Sequence, residues 1–176
     1  MICANKLGAL GVLLGDGLAA AFGDLSPSAA ALLLTLHYRG EMTATSLAAI
    51  GGIAQPTAAR VTEGLIRRGL VVRRDRAGRT APLQLTAAGT RLADTLQRAR
   101  LAAIEPLIAS LSPRERAGFE RALDKMLAQA TRSRGFARTT CRLCDHALCQ
   151  GPLCPIGTRA TALERCTQSQ TKGRKP

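Results

Sequence analysis

The chain reads as mostly α-helical with a single small β-hairpin, and three observations carry that reading. Apolar residues make up 46% of its 176 positions and aromatics only 2%, so the apolar mass is Ala and Leu, both strong helix formers. Helix punctuation recurs along the chain: Ser26-Pro27 and Ser112-Pro113 open helices, Thr86 caps one, and Gly40 and Gly69 close two. Only one stretch changes period. LVVRR (70–74) and APLQLT (81–86) alternate like strands around the turn DRAGR (75–79).

Taken in order, residues 7–22 predict a first helix. It is apolar around most of its surface, and the remaining chain is too small to bury it, so a dimer interface is its natural place. The segment LGALGVLLG (7–15) has the apolarity of a signal-peptide core, but Asp16 interrupts it. No stretch is read as reaching membrane-span length, which makes a cytoplasmic chain without membrane association the expectation. LSPSAAALLLTLHYRG predicts a second helix from the Ser26 cap to His37. A short third helix is expected over 45–50, with Thr43 or Ala44 near its cap and the turn at Gly51-Gly52. The fourth runs over 55–68 and stops at Gly69, with Ala58, Val61 and Leu65 inward and Thr57, Arg60, Gly64 and Arg67 outward. After the hairpin, a long helix is expected over 87–108, kinked or ended by Pro106, and a sixth from the SPRE capping box to residue 130.

This order of helix, short helix, turn, helix and basic hairpin is that of a winged helix-turn-helix flanked by dimerisation helices. The charge agrees. The chain carries 25 Lys and Arg against 12 Asp and Glu, a formal net charge of +13. From residue 60 to 79 there are seven arginines (60, 67, 68, 73, 74, 76 and 79) against Glu63 and Asp75. Such a field attracts polyanions. A helix can present side chains to base edges in the major groove, and an Arg-rich hairpin beside it can reach the backbone or the minor groove. Candidate DNA-binding residues are therefore Gln55 and Arg60 near bases, Thr57 at a base or a phosphate, Arg67 on the same outward face, and Arg76 and Arg79 on the hairpin. Arg68 and Arg73 suit a merely solvated face.

LSPSAAALLLTLHYRG, MTATSLAAI, AQPTAARVTEGLIRRGLVVR and LQLTAAG together resemble the MarR family, the multiple-antibiotic-resistance regulators. The resemblance implies a homodimeric transcription factor, usually a repressor, on a near-palindromic double-stranded DNA operator, with first and last helices interlocked in the dimer. It assigns the recognition helix to Gln55, Thr57 and Arg60, and the charged wing to Asp75, Arg76 and Arg79. The hairpin RDRAGRT is shorter than the family's wing and lacks its Asp-Arg-Arg run, and Ala54 stands where a capping Ser is common. The family's effector cleft would find its polar groups at His37, Tyr38 and Arg39, but a structural Tyr38 and a surface His37 are the favoured reading of these residues. A small-molecule or redox effector is thus an open partner.

Beyond these helices, Cys141, Cys144, Cys149 and Cys154 fall within fourteen residues, spaced C-x2-C-x4-C-x4-C. In a reducing compartment such spacing suits a closed four-thiolate zinc site. An iron–sulfur cluster is the alternative cofactor, since Cys154-Pro155 resembles the last ligand of bacterial ferredoxins. Thiol redox chemistry is a third reading, and His146 is expected to be exposed rather than a ligand. Some proteins of the family carry a cysteine-rich C-terminal extension of this kind.

The expected organisation is a dimerisation helix at 1–24, a winged helix-turn-helix at 25–86, dimerisation helices at 87–132, a metal-binding segment at 138–156 and a basic, partly disordered tail at 157–176, with a short helix over TRATALERC. No nucleophile–base arrangement, paired carboxylates or phosphate-cradling loop stands out, so an enzyme is not expected. The leading function is a DNA-binding regulator whose metal site is structural or responsive to metal or redox state. The alternatives are an iron–sulfur redox-sensing regulator and a protein-interaction adaptor with structural zinc.

Overall fold

A computed structural model describes residues 1–74 and 81–172, with side chains to Gln168. It divides into two compact units, Met1–Ser110 and Leu111–Pro176.

The first unit holds α1 (Ile2–Phe22), α2 (Pro27–Arg39), α3 (Ala44–Gly51), α4 (Gln55–Arg67), β1 (Val71–Arg73), β2 (Leu83–Leu85) and α5 (Ala87–Ala109). Its core is α2, whose residues Ala29 to Leu36 are all buried and pack against α3, α4, α5 and β2. The caps lie where the sequence puts them. The Ser26 hydroxyl accepts from the Ala29 N–H at 3.2 Å, and Thr43 from Ser46 at 3.2 Å. Gly52 closes α3 in the left-handed region at φ 67°. α1 begins five residues before the expected start. It lies along α5, where a methyl on Gly17 would sit 3.8 Å from the Ala103 side chain. By length and composition α1 does meet the test for a membrane span, against the expectation that no stretch would. α5 runs past Pro106 to Ala109, because proline removes one donor and does not force the helix to stop.

The hairpin pairs β1 and β2 antiparallel, with Val71 opposite Leu85 and Arg73 opposite Leu83. Met42 extends it through two backbone hydrogen bonds with Leu83, at 3.1 and 2.9 Å. At its base, the Thr86 hydroxyl donates to the Gly69 carbonyl at 2.7 Å and accepts from the Gly89 N–H at 3.0 Å. One threonine therefore caps α5 and ties it to the end of α4. Val71 and Leu83 are buried, which fixes the hairpin's inner face on the helical core.

The second unit holds α6 (Pro113–Ala130), α7 (Arg134–Thr140), a 3-10 turn (Gly151–Leu153) and α8 (Pro155–Lys172). α6 opens on the expected capping box between Ser112 and Glu115. α7 forms where the sequence pattern predicts no helix. Ser133 caps it, accepting from the Phe136 N–H at 3.1 Å. The supposed tail is helix through Lys172, because Ile156 and Ala160 of α8 bury against Ala137 and Cys141 in a small core of their own.

Candidate nucleic-acid interface and the cysteine segment

α4 starts at Ala54, which offers no side-chain cap, and uses Pro56 in its first turn. Ala58, Thr62 and Leu65 are buried and seat the helix against α2 and α3. Thr62 takes the inward place expected of Val61, which is half-buried. The opposite face presents Gln55, Arg60, Glu63 and Arg67 as exposed residues, with Thr57 and Gly64 half-buried beside them. Two of the nearby arginines are engaged. Arg68 pairs with Asp24 at 2.9 Å, and Arg73 of β1 pairs with Glu63 of α4. Arg60 and Arg67 make no ion pair among the described residues. Arg76 and Arg79, with the rest of the hairpin's turn, lie outside the described residues.

At the end of α2, the ring of Tyr38 meets His37 edge-on at 4.7 Å between centroids. His37 Nε2 lies 3.3 Å from Asp94 of α5. Both rings therefore have structural partners, and the surface position expected for His37 is in fact a contact between two helices.

The cysteine segment corrects the metal expectation. Among the described residues, no group of three or more His, Cys, Asp or Glu side chains is arranged to hold a metal ion. The four-thiolate zinc site at Cys141, Cys144, Cys149 and Cys154 is overturned, and so is its iron–sulfur alternative. The physical reason lies in what the sulfurs do instead. Cys141 is buried at the end of α7. Hydrogen bonding with Cys144, then burial, pushes its thiol far above the ordinary range. Burial first, then the neighbouring sulfurs of Cys154 and Cys144, raises the Cys149 thiol to about 11. These raised values leave both groups as thiols that pack and hydrogen-bond among their neighbours. Cys154 accepts from the Gly157 N–H at 3.2 Å and satisfies an orphan donor in the first turn of α8. Cys144 and Cys154 also pack on the core of Ala137, Cys141, Ile156 and Ala160. His146 is half-buried rather than exposed, its Nε2 lying 3.1 Å from the Cys141 carbonyl. Spacing alone could not distinguish thiols that pack and cap from thiolates that ligate.

A short helix, a turn, an anchored helix with an exposed cationic face, and an antiparallel hairpin beside it define a winged helix-turn-helix. The sequence profile of the MarR family matches residues 25–78. No curated protein sequence matches the chain. Among solved structures, a MarR family protein from Bacillus stearothermophilus is similar at 21% identity and TM-score 0.63, over 70% of this chain and 89% of that one. A MarR family transcriptional regulator from Silicibacter pomeroyi is similar at 26% identity and TM-score 0.53, over 76% and 90%. MepR, a transcription regulator of the Staphylococcus aureus multidrug efflux pump MepA, is similar at 20% identity and TM-score 0.59, over 72% and 95%. The fold of this chain is the MarR-type winged helix-turn-helix.

Proposed function

We propose that this chain is a homodimeric, sequence-specific double-stranded DNA-binding regulator of transcription, acting as a repressor in the cytoplasm, and not an enzyme. One observation carries the reading. α4 is held by Ala58, Thr62 and Leu65 so that Gln55, Arg60 and Arg67 stand outward beside a basic hairpin. Such a helix fits the major groove, with Gln55, Thr57 and Arg60 at base edges and Arg67 toward phosphate. Arg76 and Arg79 belong to the same reading as the hairpin's contacts with phosphate or the minor groove. The regulatory role of the similar proteins, MepR among them, supports it.

Two copies would present their α4 helices about 34 Å apart, one turn of DNA, to a near-palindromic operator. The cysteine-bearing segment that follows α6 lies beyond the residues that the family profile matches, and we read it as a C-terminal extension with a structural role, with α6 left to dimerisation alongside α1 and α5. No particular small-molecule or redox effector follows from the contacts of His37 and Tyr38.

The test is selection of duplexes from a random pool by the purified full chain, followed by binding titrations over a salt series. Enrichment of a palindromic sequence, with affinity falling steeply in salt, is the expected result. Binding with no sequence preference would sink the reading in favour of a protein-interaction adaptor. A reporter placed behind the selected sequence tests repression, and higher output in the presence of the protein would reverse that direction.

A further inference from the structure

On the DNA-binding reading just proposed, we infer that Glu63 is a positioning and specificity-determining residue, whose ion pair with Arg73 withholds that arginine from phosphate and fastens the hairpin to α4.

The charge pattern raises the question. Between residues 55 and 74, Glu63 is the sole acid among five arginines, 60, 67, 68, 73 and 74. It stands exposed on α4 in the same row as Arg60 and Arg67. A bare carboxylate there would repel every phosphate that approached. In this structure it is not bare, because its Oε1 meets the Arg73 guanidinium of β1. The pair is about half exposed, at 48% and 52% of side-chain surface, so it lies where DNA would arrive.

The other ties of the hairpin lie on different sides. Val71 and Leu83 bury inward, Met42 bridges to Leu83, and Thr86 bonds to Gly69 at the base. The Glu63–Arg73 pair joins the outward face of α4 to the last residue of β1. It therefore fixes how far the hairpin stands from the recognition helix on the solvent side. It also removes one positive charge from those available to phosphate. Phosphate contacts add affinity for any sequence, whereas discrimination comes from base contacts, so one arginine withheld from the backbone favours specificity over affinity.

The test uses the full chain as wild type, Glu63→Gln, Arg73→Gln and the double variant. The probes are a random-sequence duplex and the duplex recovered by selection, titrated over a salt series. Glu63→Gln frees Arg73, so the random duplex should bind more tightly and the slope of log affinity against log salt should steepen by about 0.9. Between about 50 and 200 mM salt its affinity should thus fall about 3.5-fold more than that of wild type. Its ratio of selected to random affinity should fall as well. Arg73→Gln alone bares the Glu63 carboxylate and should weaken binding to both duplexes, and adding it to Glu63→Gln should remove the extra steepness and restore the wild-type slope.

An unchanged slope in Glu63→Gln would overturn the inference, including a case where the variant only melts earlier, since the pair would then be merely structural. A slope shallower than wild type by about 0.9 in the double variant would overturn it too, by showing that Arg73 already binds phosphate. If wild type binds neither duplex in a salt-dependent way, the DNA-binding reading itself fails and this inference falls with it.

Discussion

Arg60 and Gly89 illustrate two kinds of residue constraint. Arg60 is exposed on α4 and makes no ion pair among the described residues, so nothing in the fold requires its charge. Arg60→Ala is expected to cost about 1–3 kcal/mol on the selected duplex and little on random DNA, measured by competition titration. Equal losses on both would move Arg60 from base reading to backbone positioning. Gly89 is buried in the first turn of α5, where a side-chain carbon would overlap the Leu70 carbonyl oxygen. That oxygen already accepts from the Thr86 N–H at 3.0 Å, so it is held in place by backbone. Gly89→Ala should therefore lose about 1–3 kcal/mol or more, read as a lower urea midpoint, whereas an unchanged midpoint would mean that the hairpin base yields easily. The glycine is visible in LTAAG, but its reason is not, because Leu70 lies nineteen positions away in sequence.

At the scale of elements, two exposed carboxylates of the second unit sit below the ordinary carboxylate range. Hydrogen bonds from the Ser112 side chain and backbone lower the pKa of Glu115 at the start of α6. Hydrogen bonding with Arg134 lowers that of Glu164 on α8, and Arg134 is raised in turn. A carboxylate depressed on folding contributes stability that is present above its ordinary value of 4.5 and is lost as pH falls through the lower folded value. Melting of this unit should therefore fall progressively once the pH drops below that value, as followed by circular dichroism over a pH series. Glu164→Gln should flatten that acid dependence, and an unflattened curve would show that its pair with Arg134 carries no linkage. The capping box was legible because SPRE is a local signal. α7 and the length of α8 were not, because their sequences are polar and lack a helical apolar period over any long window. Only the burial of Ala137, Cys141, Ile156 and Ala160 against one another supplies the reason to fold.

For the whole molecule, the surface of one chain leaves apolar residues uncovered. On α1, Val12 is 64% and Leu13 58% exposed, and on α6 Met126 and Leu127 are exposed as well. Burying a side chain of that size stabilises by about 1.5–3 kcal/mol, so a handful of them is enough to favour association. The proposed dimer covers α1 by pairing. Wild type should elute as a dimer at micromolar concentration, and Leu13→Glu should shift the population to monomer, measured by size-exclusion chromatography with light scattering. Loss of the dimer should also weaken the selected palindrome far more than a single half-site, because two linked contacts act with high effective concentration. A wild-type chain that is monomeric at micromolar concentration would sink the dimer.

By itself the sequence determined the helix boundaries that caps and glycines set, the hairpin where the apolar period changes, and the outward arginines of α4. Each of these is local, since a capping hydroxyl reaches three residues and an amphipathic face repeats within two turns. Tertiary structure alone decided that Thr62 rather than Val61 seats α4, that Arg73 is tied to Glu63, and that His37 meets Asp94. It also decided how the cysteines are arranged. Their spacing fits a closed metal site, yet among the described residues no group is arranged to hold a metal ion; Cys141 hydrogen-bonds with Cys144, Cys149 is raised chiefly by burial, and Cys154 caps α8. Spacing states which sulfurs can approach one another. Their protonation depends on desolvation and neighbours, which exist only once the chain has folded around them.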